Sequence, residues 1–260
     1  MELFELQAFS DNYIWVWHHQ GQAVVVDPGE SQVVMQALSQ HGLTLAAILV
    51  THHHPDHVGG VAELQAQTGA EVYGPAREAL AFAFTPVMDG EPLHLLEQHI
   101  EVLDVPGHTA GHVAYLMPQA QPAPLLFCGD ALFSAGCGRI FEGTPAQMLA
   151  SLDRLAALPA ATRVCCAHEY TLANLRFALA VEPLNLELQT YATHCQQLRD
   201  RGLPTLPATL GNELRINPFL RSRHPAVQQA VAQHASLDAE QLSDEVAVFA
   251  ALRQWKNDFK

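Results

Sequence analysis

The stretch Thr51-His-His-His-Pro-Asp-His57 constrains this chain most: four histidines and a carboxylate crowd into seven residues directly behind the apolar run Leu45–Val50. An apolar run that stops at such a loop reads as a buried strand whose end hands its side chains to metal. Imidazole suits zinc and iron, and a carboxylate admits harder ions as well. In extended chain His52 and His54 point the same way and can hold one ion together. Pro55 then turns the chain, so that Asp56 and His57 can face a second ion.

With 260 residues the chain is long enough for one large or two modest domains around a real core. It carries 13 Lys and Arg against 27 Asp and Glu, a formal charge of −14, which argues against a nucleic-acid partner because that affinity rests on neutralising phosphates. The same balance makes any local cluster of basic residues informative. No apolar run approaches the roughly 18–20 residues that span a bilayer, and Met1–Tyr13 lacks the basic segment that opens a secretory signal. A cytoplasmic protein without a membrane partner is expected. Cys128, Cys137, Cys165, Cys166 and Cys195 are odd in number and form no CxxC pair, which favours reduced thiols.

Between Met1 and Glu30 the aromatic and β-branched content predicts three strands, near Leu3–Phe9, Tyr13–His18 and Ala23–Val26, the last closed by the turn Asp27-Pro28-Gly29. Ser31 is placed to cap a helix through Val33, Val34, Ala37 and Leu38 that stops near Gly42. The strand Leu45–Val50 and the histidine loop follow, then an amphipathic helix over Val61, Ala62, Leu64 and Ala66 ending at Gly69. A short strand at Val72-Tyr73 and a helix over 76–84 come next. Ile100–Val105, Val113–Met117, Leu125–Cys128 and Arg163–Ala167 read as strands, and Thr144-Pro145 starts a helix over Gln147–Leu158. Strands thus end at His52 and its neighbours, at His108, at Asp130 and at His168. Sites on α/β frameworks sit where strand ends converge at one sheet edge. After Tyr170 only helices are expected, near 171–181, 184–201, 225–234 and 239–257, with 203–223 an ordered loop. The boundary near 171 separates a catalytic domain over 1–170 from a helical domain over 171–260.

His52, His54 and His108 fit one ion, and Asp56, His57 and His168 fit a second, with Asp130 between them. Each ion then has three protein ligands, a shared carboxylate and an open position for water. A hydroxide held between the cations is the expected nucleophile. Metal binding lowers the pKa of water from about 15.7 toward about 7, and two ions about 3.5–4 Å apart stabilise attacking and leaving groups alike. Such a site favours hydrolysis, with Asp56 and Asp130 as its catalytic carboxylates. His53 reads as structural, His112 as a packing or supporting residue, and Asp27 as a turn residue, with an outer contact to a ligand histidine as its alternative.

The order Thr-His-x-His-x-Asp-His, a later His, a Gly-Asp and a further His resembles the metallo-β-lactamase-fold hydrolases. That resemblance covers the first 170 residues and implies an α/β fold class: an αββα sandwich with a dinuclear site along one edge of its paired sheets, followed here by the smaller all-helical domain. It does not choose a substrate, since one fold hosts many activities. The segments Pro106-Gly-His-Thr-Ala-Gly-His112, Gly129-Asp-Ala-Leu-Phe133, Gly136-Cys-Gly-Arg-Ile-Phe-Glu-Gly-Thr144, Ala167-His-Glu-Tyr-Thr171, Asn217-Pro-Phe-Leu-Arg221 and Arg253-Gln-Trp-Lys-Asn-Asp-Phe-Lys260 resemble glyoxalase II, the hydroxyacylglutathione hydrolase family. This resemblance implies hydrolysis of a glutathione thioester such as S-D-lactoylglutathione to glutathione and D-lactate. It also implies a helical domain that helps bind glutathione, and it carries substrate binding to Arg139, Tyr170, Arg253 and Lys256. Phe141 stands where some members have a tyrosine that touches the ligand; a lost hydroxyl there removes about one hydrogen bond, on the order of 1 kcal/mol.

Physical chemistry agrees for the last helix. Val248, Leu252, Trp255 and Phe259 form an apolar stripe, and Arg253 and Lys256 lie three apart beside it, able to receive a carboxylate of glutathione. Two divalent metal ions per chain are expected, zinc first, with iron or manganese accepted by the same donors. The expected partner is a small-molecule glutathione thioester, and the chain is expected to be a monomer. The competing readings are a lactonase or β-lactamase-like hydrolase, a single-iron persulfide dioxygenase, and a metal-binding protein of this fold without turnover.

Overall fold

Alternation with a period of two sorts the side chains of the amino-terminal strands between two cores. The computed structural model of the protein describes residues 1–259; Lys260, the end of the expected helical domain, lies outside the described residues. Strands β1 (Glu2–Ala8), β2 (Asn12–His19), β3 (Gln22–Val26), β4 (Thr44–Leu49), β5 (Glu71–Pro75) and β6 (Thr85–Val87) form one sheet in that spatial order. Its first three strands are antiparallel and the rest parallel. Trp15, Trp17, Val24, Val26, Ala47 and Leu49 enter the larger core. Their neighbours Ile14, Val16, Ala23, Val25 and Ile48 enter a second core, closed by Val34 and Leu38 of α1 (Ser31–His41). The short α2 (Pro55–Val58) leads into α3 (Val61–Thr68), whose Val61 and Leu64 complete that core.

The second sheet has the order β14-β13-β10-β9-β8-β7, built from β7 (Pro92–Leu95), β8 (Gln98–Asp104), β9 (Val113–Met117), β10 (Leu125–Gly129), β13 (Arg163–Cys166) and β14 (Ala208–Thr209). A small hairpin of β11 (Leu132–Phe133) and β12 (Gly136–Cys137) projects after β10. Trp17 of the first sheet stacks on Phe127 of the second, ring centres 5.7 Å apart, so the two sheets share one apolar layer. Met148, Leu149, Leu152 and Leu155 of α4 (Pro145–Ala156) join it, which gives the αββα sandwich. The remainder is α5 (Thr171–Val181), α6 (Leu186–Asp200), α7 (Leu210–Ile216), α8 (Pro225–Ala235), α9 (Ala239–Ser243) and α10 (Glu245–Asp258). Val248 and Leu252 of α10 are fully buried and Trp255 and Phe259 pack beside them, as the stripe requires. All five cysteines are buried free thiols, Cys165 and Cys166 both among them.

Several local expectations need correction. No helix forms over 76–84, because Leu80, Phe82 and Phe84 all pack on the second core, and a spacing of two is that of extended chain. The cap of α1 is Glu30, while the Ser31 hydroxyl hydrogen-bonds Glu63 instead. Residues 203–223 are not a plain loop: they hold α7 and also β14, which pairs with β13 and adds an edge strand to the second sheet. The helix expected over 239–257 is two helices, because the Asp244 carboxylate accepts from Val246 N–H and so starts α10 afresh. Strand β7 carried no clear sequence signal.

Candidate active site

The chain leaving β4 bends at Thr51, is extended at His54 and then enters α2 with Pro55 at its first position, which turns Asp56 and His57 inward. His54 Nδ1 stands 3.1 Å from His52 Nε2 and 3.0 Å from His108 Nε2, the latter brought in by the loop after β8. Asp130 follows β10 at Gly129, where φ is +47° and a Cβ would stand 2.3 Å from the Thr51 hydroxyl; only glycine leaves room for this crossing. His168 follows β13. Asp56 Oδ2 and Asp130 Oδ1 each lie 3.4 Å from both His57 Nε2 and His168 Nε2. The other oxygen of Asp130 lies 3.4 Å from His108 Nε2, so one carboxylate faces both groups. All seven side chains singled out in the sequence therefore converge, in two triads joined at Asp130.

The donors fit divalent metal. Ligand atoms about 2.0–2.1 Å from one ion stand ~3.0–3.4 Å from each other, the spacing found here. His57 Nε2 and Asp130 Oδ1 are buried without a hydrogen-bond partner, a cost of about 1–3 kcal/mol each that a cation would remove. The opposite ring nitrogens are committed elsewhere: His108 Nδ1 donates to the Arg139 carbonyl at 2.8 Å, His168 Nδ1 to Asp11 at 2.8 Å, and His57 Nδ1 to Asp27 at 3.1 Å. These partners fix the proton on Nδ1 and leave Nε2 as the inward-facing atom that a cation would take.

Charge divides the site into two halves. Burial, together with the neighbouring histidines, pushes His52 well below its ordinary pKa, and burial likewise lowers His54 and His108. That half presents neutral imidazoles with free lone pairs. Burial also opposes charge on His57 and His168, but Asp130 and Asp56 outweigh it, raising His57 well up and His168 to about 10. The His168 and His57 imidazoles beside it hold Asp56 far below the carboxylate range. For Asp130 burial acts upward, and the surrounding histidines overcome it. The carboxylate half thus favours added positive charge.

The supporting residues sit behind these triads. Asp27 accepts from Thr51 N–H and from the Thr51 hydroxyl, both at 2.7 Å, besides His57. His112 stacks on His52, ring centres 4.6 Å apart, and its Nε2 accepts from Asp130 N–H. His53 turns away to Glu78 and Glu142. Sequence reasoning missed Asp11, Asn12 and Glu78. Asn12 Nδ2 donates to Asp56 at 3.0 Å, yet Asp11 in the turn before β2 and Asn12 at its start lie far along the chain, and no local pattern ties them to His168 or Asp56.

A cavity of about 480 Å³ opens beside His108 and Asp130, and Arg139, Tyr170, Arg253 and Lys256 all line it. Arg139 is exposed, whereas Arg253 is 95% buried, so it is no solvated helix end. Its Nη1 donates to the Cys137 carbonyl at 2.8 Å, its guanidinium lies over Phe219, and its Nε has no partner. Lys256 Nζ donates to the Ala173 carbonyl at 3.2 Å, and burial with Arg253 close by lowers its pKa to about 8. Phe141, 62% exposed, lines the same cavity beside His54 and His108.

Residues 7–168 match the metallo-beta-lactamase superfamily, and residues 169–259 match the family described as hydroxyacylglutathione hydrolase C-terminus. A hydroxyacylglutathione hydrolase of Albidiferax ferrireducens is 59% identical over 259 residues, covering 100% of both chains. Among solved structures, ETHE1 from Myxococcus xanthus superposes with a TM-score of 0.66 at 26% identity, over 97% of this chain and 98% of its own. The protein TTHA1623, solved in a di-iron-bound form, gives 0.60 at 27% identity, over 84% of this chain and 100% of its own. Two triads of metal donors at the strand ends, a cavity walled by the helical part, and full-length identity above one half together place the chain in the hydroxyacylglutathione hydrolase family of the metallo-β-lactamase superfamily.

Proposed function

We propose that this chain hydrolyses the thioester of S-2-hydroxyacylglutathione, S-D-lactoylglutathione above all, to glutathione and a 2-hydroxy acid, D-lactate, the second step of methylglyoxal detoxification. The observation that carries this reading is the single cavity in which His108 and Asp130 share walls with Arg139, Tyr170, Arg253 and Lys256. It joins a hydrolytic end to a cationic end in a chain of net charge −14. Family membership supports the same chemistry.

His52, His54 and His108 are taken to hold one divalent cation and Asp56, His57 and His168 a second, with Asp130 serving both. Zinc suits these donors, and iron or manganese is accepted by them. Two such cations would acidify water near neutral pH and stabilise charge developing on a carbonyl oxygen and a leaving group. Asp130 divides its two oxygens between the triads, and Asp56 holds the second triad negative. Arg139, Arg253 and Lys256 take the carboxylates of glutathione, and Tyr170 walls the passage between the two ends. A departing thiolate with a parent pKa near about 8.5 needs no proton donor. Residues 1–170 then carry the reacting end together with Arg139 and Tyr170, and residues 171–260 complete the glutathione end, in a cytoplasmic monomer with no nucleic-acid or membrane partner.

The test is hydrolysis of S-D-lactoylglutathione, followed by ultraviolet loss of the thioester, against a lactone and a β-lactam panel. Turnover of the thioester alone is expected. Preference for a lactone or β-lactam refutes the assignment.

A further inference from the structure

Glu78 lies between β5 and β6, outside every motif of the active site, yet only 1% of its side chain is exposed. One carboxylate oxygen accepts from the Thr109 hydroxyl at 2.6 Å and from Gly111 N–H at 2.9 Å. The other accepts from His53 N–H at 3.2 Å and also meets His53 Nδ1. His53 sits between His52 and His54, and Thr109 adjoins His108. A single buried carboxylate therefore ties together the two loops that carry the whole first triad. Packing says the same independently: a Cβ on Gly111 would stand 2.8 Å from the Arg77 carbonyl carbon, so the segment before Glu78 seats on that loop without a gap.

The second triad has its own support. His168 Nδ1 donates to Asp11, and Asn12 donates to Asp56. Among the described residues, none of these contacts involves Glu78. Asp27 stands behind both triads, directly at His57 and through the Thr51 hydroxyl, which lies 3.0 Å from His52 Nδ1.

We propose that, beyond the Asp27 they share, the two triads are braced by separate carboxylates, the buried Glu78 and the part-exposed Asp11, and that Glu78 is a positioning residue of the His52, His54 and His108 triad alone. The proposal rests on the two-ion reading above. Outer partners of metal ligands typically contribute a factor of about 10–100 in metal affinity. Because Glu78 holds the two loops of one triad and Asp11 holds His168 of the other, removing one should weaken one ion and spare the other.

The test is zinc binding to the full chain, titrated against a chromophoric chelator, with zinc per chain counted by atomic emission and folding followed by circular dichroism. Wild type is expected to bind two zinc ions. Glu78→Ala, and likewise Gly111→Ala, should weaken one of them at least about tenfold and leave the other within about twofold, whereas Asp11→Ala should weaken the other. The His54→Ala background shows which ion is which: there Glu78→Ala should leave the remaining zinc unchanged, and Asp11→Ala should weaken it. If Glu78→Ala does not fold, Glu78→Gln serves, since it keeps an acceptor for Thr109 and Gly111 but turns an amide donor toward His53 N–H. Equal weakening of both ions, or further loss from Glu78→Ala in the His54→Ala background, overturns the brace. A wild type that binds one zinc refutes instead the two-ion reading.

Discussion

The ring of Tyr170 lies flat on the imidazole of His168, with centres 4.6 Å apart and planes 6° apart. Glu169 between them turns the other way, accepting from the Tyr13 hydroxyl at 2.8 Å and from Thr205 N–H at 2.9 Å. Tyr170 is thus a wall of the cavity and a stop for the orientation of His168. Tyr170→Phe keeps the stack and removes one hydroxyl. A substrate hydrogen bond of about 1 kcal/mol corresponds to a rise in KM of about fivefold, with kcat unchanged. Tyr170→Ala frees the imidazole and should lower kcat as well. Steady-state kinetics of both variants separate the two roles.

Lys256 should impose a pH limit on substrate capture. Burial and the nearby Arg253 lower its pKa to about 8, so the ammonium is present below that pH and lost above it. Affinity for an anionic glutathione thioester is therefore expected to be full near pH 7 and to fall as the pH rises through 8. A plot of log KM between pH 6.5 and 9.5 should bend upward near 8. Lys256→Arg, whose charge persists, should remove the bend.

Glu213 of α7 ties the helical part to the hairpin after Asp130. It accepts from the Ser134 hydroxyl at 2.8 Å and from Ala135 N–H at 2.7 Å, and Asn217 Nδ2 donates to it while also donating to the carbonyls of Phe133 and Gly136. Complete burial raises its pKa from the ordinary 4.5 to about 7 despite these bonds. Between those values the unfolded chain gives up the proton and the folded chain keeps it, so stability falls as pH rises from 4.5 to 7, by about 3 kcal/mol in all. Urea unfolding at constant free zinc should show wild type gaining about that much over Glu213→Gln at pH 4.5 relative to pH 8. A difference that does not change with pH would count against the buried acid.

Much of the fold was legible because its signals are local. The aromatic and β-branched content of Tyr13–His18 and Ala23–Val26 foretells two strands of the first sheet, and Gly42 and Gly69 end α1 and α3 in the left-handed conformation as expected. The seven clustered donors were legible because each ends a strand or follows Pro55. What stayed hidden depends on distant pairing. Two-residue β14 exists only because β13 offers it an edge, and Glu78 gains its place only through Thr109 and Gly111, more than thirty positions on. Arg253 was foreseen as a neighbour of Lys256 on the helix surface, but its burial over Phe219 requires the Asn217-Pro-Phe-Leu-Arg221 segment to fold beneath it.

The carboxylate shared by both triads tests the whole scheme most directly. Asp130→Ala should leave the circular dichroism of the folded chain intact while hydrolysis of S-D-lactoylglutathione drops to the uncatalysed background, because neither triad retains its common acidic partner. Near-normal turnover in a folded Asp130→Ala protein would contradict a site built on two cations joined at that residue.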